Sequence, residues 1–337
     1  MPEIDWNQLG FGYTPTNCHI RYQWQDGVWD KGALEQEPYF RIHIAATALH
    51  YGQTGFEGLK AFRHDDGSVH IFRPLENASR LARTAERIMM APVPDDLFLE
   101  AVRRVVEANR EFVPPASSGG SLYIRPLLFG SGAEIGLGPA REYTFIVLVT
   151  PVGNYYREGV KAIPALVSDE YDRSAPRGTG HVKVGGNYAA SLVPGRKARE
   201  QGFPIVLYLD SREQRYIDEF GTSNFIGITA DKRYVTPLST SVLPSITNMS
   251  LMAIAADEGY KVEQRQVAFD EVQNFVEVGA CGTAVVISPI SRIVRGGRTY
   301  EISGAPGFGP ALESLYNRLR AIQYGRAKDL WGWNHKV

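Results

Sequence analysis

Apolar and polar positions along the first 150 residues fall into two helical stripes and several strand-like runs. Residues 40–44 (F-R-I-H-I) and 68–72 (S-V-H-I-F) alternate with a period of two, and each run predicts a strand. Between 77 and 90, Leu81, Ala85, Ile88 and Met89 recur at helical spacing, with arginine and glutamate on the other face. Residues 95–113 repeat the pattern with Leu97, Ala101, Val105 and Ala108; Pro114, Pro115 and a Ser-Ser-Gly-Gly run then stop the helix. The runs 121–129 (S-L-Y-I-R-P-L-L-F) and 143–150 (Y-T-F-I-V-L-V-T) are apolar enough for buried strands, and the glycine-rich 130–139 between them reads as an exposed loop. Helices and strands cluster instead of alternating as βαβ units, which points to an α+β fold.

Turn residues crowd 151–159 (P-V-G-N-Y-Y-R-E-G) and mark a boundary. The chain is therefore expected to form a smaller N-terminal domain over 1–153, a linker over 154–160 and a larger domain over 161–337. In the second part, strands are expected at 161–168, 204–209, 215–219, 223–229, 276–281 and 284–289. Helices are expected at 187–201, 247–259 and 309–324. No internal repeat or low-complexity segment is visible.

The 337 residues leave ample room for a core, and the composition is that of an ordinary globular protein. The formal net charge is −1, with both signs scattered, so nothing electrostatic points to nucleic acid or an anionic membrane. Cys18 and Cys281 stand far apart, with no metal-ligand spacing. No run of eighteen apolar residues occurs, and the first residues (M-P-E-I-D-W) show no secretory pattern. A cytoplasmic protein without a metal is the expectation.

The richest candidate chemistry lies in R-G-T-G-H-V-K-V-G-G-N-Y (177–188). Lys183 is framed by glycines, which permit close approach of other groups, and by Val182 and Val184. An apolar setting disfavours the ammonium form, the condition for a nucleophilic or Schiff-base lysine. A surface loop with an incidental lysine explains the same residues. Four further segments leave two readings each. In S-V-L-P-S-I-T-N-M-S (241–250), Ser245 or Thr247 either caps a helix or helps form an anion site at its N-terminus. A-C-G-T-A (280–284) is a tight hairpin or a ligand-binding turn. Glu219, in Y-I-D-E-F-G, is a solvated strand end or faces a cationic ligand atom. Arg80 opens a helix and is solvated or binds an anion.

Taken together, 49–63 (L-H-Y-G-Q-T-G-F-E-G-L-K-A-F-R), 72–80 (F-R-P-L-E-N-A-S-R), 123–126 (Y-I-R-P), 178–192 (G-T-G-H-V-K-V-G-G-N-Y-A-A-S-L), 209–224 (L-D-S-R-E-Q-R-Y-I-D-E-F-G-T-S-N), 243–247 (L-P-S-I-T) and 281–284 (C-G-T-A) resemble the branched-chain amino acid aminotransferases. The resemblance runs from about residue 11 to the C-terminal helix. It implies the two-domain fold type IV architecture, with pyridoxal 5'-phosphate (PLP) in the cleft between the domains. The implied activity is reversible transamination of L-leucine, L-isoleucine and L-valine with 2-oxoglutarate.

By matching position, the resemblance implies that Lys183 holds the cofactor as a Schiff base and shuttles the substrate proton. Glu219 would face the pyridine nitrogen and Tyr188 the 3′ oxygen, with Arg80, Ile246, Thr247 and Thr283 on the phosphate. Tyr51, Phe56 and Tyr123 would line the side-chain pocket; core packing is the other reading of Tyr51 and Phe56, with the pocket favoured. Arg125 would meet the distal carboxylate, and Thr283 and Ala284 the α-carboxylate. Loop residues near Leu137–Pro139 and Tyr51 would reach a neighbouring subunit, implying a homodimer or a larger homo-oligomer. Pro15 and Pro139 depart from the family's usual aromatic and valine, and Ser245 and Asn248 from its glycine and arginine. No C-x-x-C follows Cys281. D-amino acid aminotransferase and aminodeoxychorismate lyase share the fold, lysine and glutamate, but Y-G-Q-T-G-F-E-G and Y-I-R-P disfavour both. A non-catalytic PLP carrier would need the lysine without a substrate arginine.

Overall fold

The computed structural model describes residues 4–6, 8–156, 159–302 and 306–337; residues 157 and 158 of the expected linker lie outside these. Two compact units emerge. The first comprises Met1–Tyr155, Val182–Gly185 and Ala321–Val337, and the second Tyr156–His181 and Gly186–Arg320.

The first unit is built on an antiparallel sheet. Its order is Asn334–Lys336, Val69–Phe72, Leu59–Arg63, Ser121–Gly130, Glu142–Val152, His19–Gln25 and Val28–Trp29. Thr54–Phe56 pairs separately with Ser121–Gly130, setting Phe56 opposite Leu127. The helices Pro74–Arg87 and Asp95–Ala108 bury Leu81, Ala85, Phe98, Val102 and Val105 in the core of this unit. The last strand has no periodic signal. Pairing with Val69–Phe72 ties the chain's end to the first unit, where the sequence reading had placed all of 161–337 in the second domain.

Three local expectations are corrected. The stripe starting at Asn77 belongs to a helix that opens at Pro74, a residue suited to the first turn because its missing N–H would be unsatisfied there anyway. Arg80 thus sits in the second turn instead of opening the helix. The alternating run 40–44 forms no strand, since its backbone finds no ladder; nearby, only Ala46 makes an isolated bridge, to Ala133. The helix expected to reach 113 stops at Ala108. Buried Asn109 turns its amide onto the carbonyls of Val105 and Cys18, competing with the next helical turn.

In the second unit the strand order is Ile217–Phe220, Ile205–Leu209, Ile163–Val167, Val286–Arg295, Phe275–Gly282, Ser223–Thr229, Arg233–Pro237 and Lys261–Arg265. Ile217–Phe220 also pairs with Ser223–Thr229, so six of these strands close a ring. Inside pack Leu207, Phe220, Phe225, Ala280, Ile290 and Ile293. The sheet is mixed, with Ile163–Val167 parallel to both its neighbours. The helix expected at 187–201 is two pieces, Gly185–Ala189 and Leu192–Glu200; Ser191 Oγ donates to the Tyr188 carbonyl at the break. Glu277, 5% exposed, accepts from the N–H groups of Ala311 and Leu312 and caps the helix Pro310–Gln323.

Candidate active site

In the first unit, the short Val182–Gly185 segment is laced to the strand Thr54–Phe56 and to the helix Pro74–Arg87. Lys183 N–H donates to Thr84 Oγ1 at 3.1 Å, and the Lys183 carbonyl accepts from Phe56 N–H at 3.1 Å. Val184 bridges Gly55. Only glycine fits at 55, because a Cβ there would lie 2.7 Å from the buried Thr84 methyl. The backbone of Lys183 is thereby fixed, and its half-buried side chain sets Nζ 4.7 Å from the Phe56 ring centroid.

The same ring also carries Arg125, whose Cζ is 4.9 Å from the Phe56 centroid. Arg125 Nη2 donates to the Tyr123 hydroxyl at 3.0 Å, while its buried Nε makes no hydrogen bond. Four of the residues expected from sequence are thus brought together: Lys183, Phe56, Tyr123 and Arg125. Phe56 is not core filler; the Lys183 amine and the Arg125 guanidinium both stand over its ring. Tyr51 is 45% exposed, which removes the core explanation for it as well, and its hydroxyl donates to the Ile135 carbonyl in the exposed loop.

Arg80 is 5% exposed, so solvation does not explain it. Its guanidinium forks onto Glu57, with Nε–Oε1 at 2.8 Å and Nη2–Oε2 at 2.7 Å. Arg80 is joined to the lysine segment through Thr84, whose hydroxyl donates to the Arg80 carbonyl and accepts from Lys183 N–H.

The second unit holds the remaining candidates. Glu219 is 3% exposed, not a solvated strand end; Asn224, its partner across the hairpin, lies 3.5 Å from its Oε2 and also donates to the Leu243 carbonyl. Arg173 brings two candidates together, with Nε 3.2 Å from Glu219 Oε1 and Cζ 5.8 Å from the Tyr188 ring centroid. Buried Arg173 Nη1 has no hydrogen-bond partner. Ser245 settles the cap question: its Oγ accepts from Asn248 N–H at the start of the helix Ile246–Asp257. Asn248 itself is locked between the hydroxyls of Tyr234 and Thr236. Ile246 and Thr247 are buried in the first turn. Ser245 also bonds the Cys281 thiol, which burial pushes up to about 12, so this cysteine is an inert anchor. Thr283 and the exposed Ala284 lie in the hairpin turn after Cys281. That turn closes on Val286 at φ 75°, a strained value for a β-branched residue.

Each unit by itself holds groups that suit one part of a phosphorylated pyridine aldehyde. A lysine on an aromatic floor can hold the aldehyde, a buried arginine or a capped helix start suits the phosphate, and a buried carboxylate suits a protonated ring nitrogen. The orphaned Arg125 Nε suits a substrate carboxylate.

The family model for amino-transferase class IV matches residues 55–293. A branched-chain-amino-acid aminotransferase of Haemophilus influenzae is 46% identical over 343 residues, covering 100% of this chain and 100% of that protein. The chain belongs to the branched-chain amino acid aminotransferase family. It is an enzyme, a PLP-dependent transferase of fold type IV. Among solved structures, the branched-chain amino acid aminotransferase of Escherichia coli aligns at TM-score 0.76 and 28% identity, covering 93% of this chain and 98% of that one. A T.th. branched-chain amino acid aminotransferase complexed with N-(5'-phosphopyridoxyl)-L-glutamate aligns at TM-score 0.75 and 26% identity, over 93% and 97% of the two chains. The T.th. enzyme has also been solved with pyridoxamine 5'-phosphate.

Sequence reasoning missed Glu57, Thr84, Arg173 and Asn224. Glu57 had a signal: a carboxylate in the apolar, glycine-rich stretch G-F-E-G-L needs a buried cation. Thr84 stands on the buried face of its helix, but its bond to residue 183 is a long-range contact that no local pattern encodes. Arg173 and Asn224 stand in turn- and strand-like surroundings without periodicity.

Proposed function

We propose that the protein moves the amino group of L-leucine, L-isoleucine or L-valine onto 2-oxoglutarate, giving the branched-chain 2-oxo acid and L-glutamate. The carrying observation is the Lys183–Phe56–Arg125 arrangement, a pinned amine and an incompletely bonded guanidinium on one aromatic ring. The T.th. structure with a phosphopyridoxyl-glutamate adduct supports glutamate as the partner substrate.

In this reading Lys183 holds the aldehyde carbon of PLP and carries the proton to and from the substrate Cα. Bound PLP supplies the electron sink for the carbanion. Glu219 keeps a proton on the ring nitrogen, and Tyr188 bonds the 3′ oxygen. Arg80, Thr247, Thr283 and the backbone at Ile246 hold the phosphate. Thr283 and Ala284 offer N–H groups to the α-carboxylate. Tyr51, Phe56 and Tyr123 line an apolar pocket, and Arg125 takes the distal carboxylate of the five-carbon substrate. A methylene is worth about 1–3 kcal/mol of discrimination, so all three branched substrates are accepted.

The working form is a homodimer or larger. Ile44, Leu49, Ile135 and Leu137 are 84%, 60%, 68% and 89% exposed on two adjoining segments, tied by the Glu134 N–H to Ala45 carbonyl bond and by the Ala46–Ala133 bridge. An apolar surface of this kind suits a second copy of the chain. Two free thiols, Cys18 and Cys281, suit a reducing cytoplasm; among the described residues no helix is long and apolar enough to cross a membrane.

Single-turnover spectra of the holoenzyme with L-leucine, D-alanine and L-glutamate test the reading. Conversion by L-leucine and L-glutamate, and none by D-alanine, is expected. Conversion by D-alanine alone would make it a D-amino acid enzyme.

A further inference from the structure

Glu57 takes no part in the reading above, yet it is wholly buried and uses both carboxylate oxygens. Oε1 accepts from Arg80 Nε at 2.8 Å; Oε2 accepts from Arg80 Nη2 at 2.7 Å, from Asn77 Nδ2 at 2.7 Å and from Gly58 N–H at 3.3 Å. Its own N–H donates to the Pro126 carbonyl, which pins it to the strand Ser121–Gly130. Asn77, 1% exposed, sits one turn before Arg80 on the same helix and also bonds the Gly58 carbonyl. A flexible guanidinium is thereby held in one plane by a bidentate partner that is itself held at three points. Such an arginine has already lost its rotamer freedom before a ligand arrives, which is preorganisation.

We propose that Glu57 is a positioning residue for the cofactor's phosphate, acting through Arg80. The proposal rests on the reading that Arg80 holds that phosphate. The competing role is plain charge neutralisation of a buried arginine, and the two roles predict opposite signs. A neutraliser, once removed, leaves the site more positive and binds a phosphate dianion more tightly. A positioner, once removed, lets the guanidinium swing, and phosphate binding weakens.

The test measures affinities of full-length protein, depleted of cofactor, for PLP and for pyridoxal, which lacks the phosphate. Glu57→Gln keeps shape and burial but loses the charge-assisted fork. PLP should weaken about tenfold or more, on the scale of a lost charged hydrogen bond, while pyridoxal stays unchanged. Glu57→Asp keeps the counter-charge, and with it the fold, but retracts the carboxylate; it should also lose preference for PLP. In an Arg80→Met background, Glu57→Gln should have no further effect on the PLP-to-pyridoxal ratio. Equal weakening of both ligands, or tighter PLP in Glu57→Gln, overturns the proposal. If Arg80→Met itself leaves the ratio unchanged, the phosphate reading of Arg80 falls instead.

Discussion

Glu219 Oε1 lies 3.2 Å from Arg173 Nε, with both side chains about 4% exposed and the N–H not aligned on the oxygen, so the contact is electrostatic more than a directed hydrogen bond. The Arg173 guanidinium therefore stands beside the carboxylate without being forked onto it. Glu219→Gln keeps the shape and removes the charge. Turnover with L-leucine should fall by one to two orders of magnitude, on the ~1.5–3 kcal/mol scale of a charged hydrogen bond, while cofactor remains on the protein. Stopped-flow absorbance with L-leucine checks this; unchanged rates would show that Glu219 serves only Arg173.

Arg125 stands over Phe56 with one unused buried donor. Arg125→Ala should weaken 2-oxoglutarate roughly 10- to 150-fold and leave 4-methyl-2-oxopentanoate nearly unchanged, because only the former carries a distal carboxylate. The ratio of kcat/KM for the two oxo acids is the measurement, and equal losses would make Arg125 a support for the ring.

Asp218 is next to Glu219 on the strand and 2% exposed. Burial raises its carboxyl from 3.8 to about 6; Asp210 and Asp172 push the same way, while a bond from Ser239 and the charge of Arg173 oppose. Arg177, His181, Arg212 and Glu213 line the same cleft. A folded-state pKa above the unfolded value means that the folded protein holds its proton longer, so this group costs stability as pH rises from about 4 to about 6. Asp218→Asn should therefore stabilise the protein at pH 7 by up to about 3 kcal/mol, with the gain gone below about pH 3.8. Thermal melts across that range decide it; a gain independent of pH would point to packing.

The apolar surface around Ile135 and Leu137 is expected to be covered by a second copy of the chain. Leu137→Lys, at a side chain 89% exposed, should leave the fold of a single chain intact and shift the protein toward monomer. Light scattering after size exclusion measures this. A variant that remains as oligomeric as the parent would place the interface elsewhere.

By itself the sequence determined the α+β class, the family, and the long amphipathic helices, because periodicity and motif are local properties. Leu81 and Ala85 announced the buried face of Pro74–Arg87 without any knowledge of what covered it. It also pointed to Lys183, since glycines around a lysine are readable in a dozen residues. Tertiary structure alone decided which alternating run became a strand: 68–72 did, at Val69–Phe72, because Asn334–Lys336 and Leu59–Arg63 flank it, and 40–44 did not, for want of a ladder. It alone decided that Phe56 is a floor instead of core, that Glu57 forks Arg80, and that Arg173 stands beside Glu219. Each of these joins residues more than twenty positions apart, and burial energy selects such contacts only when the whole chain has packed.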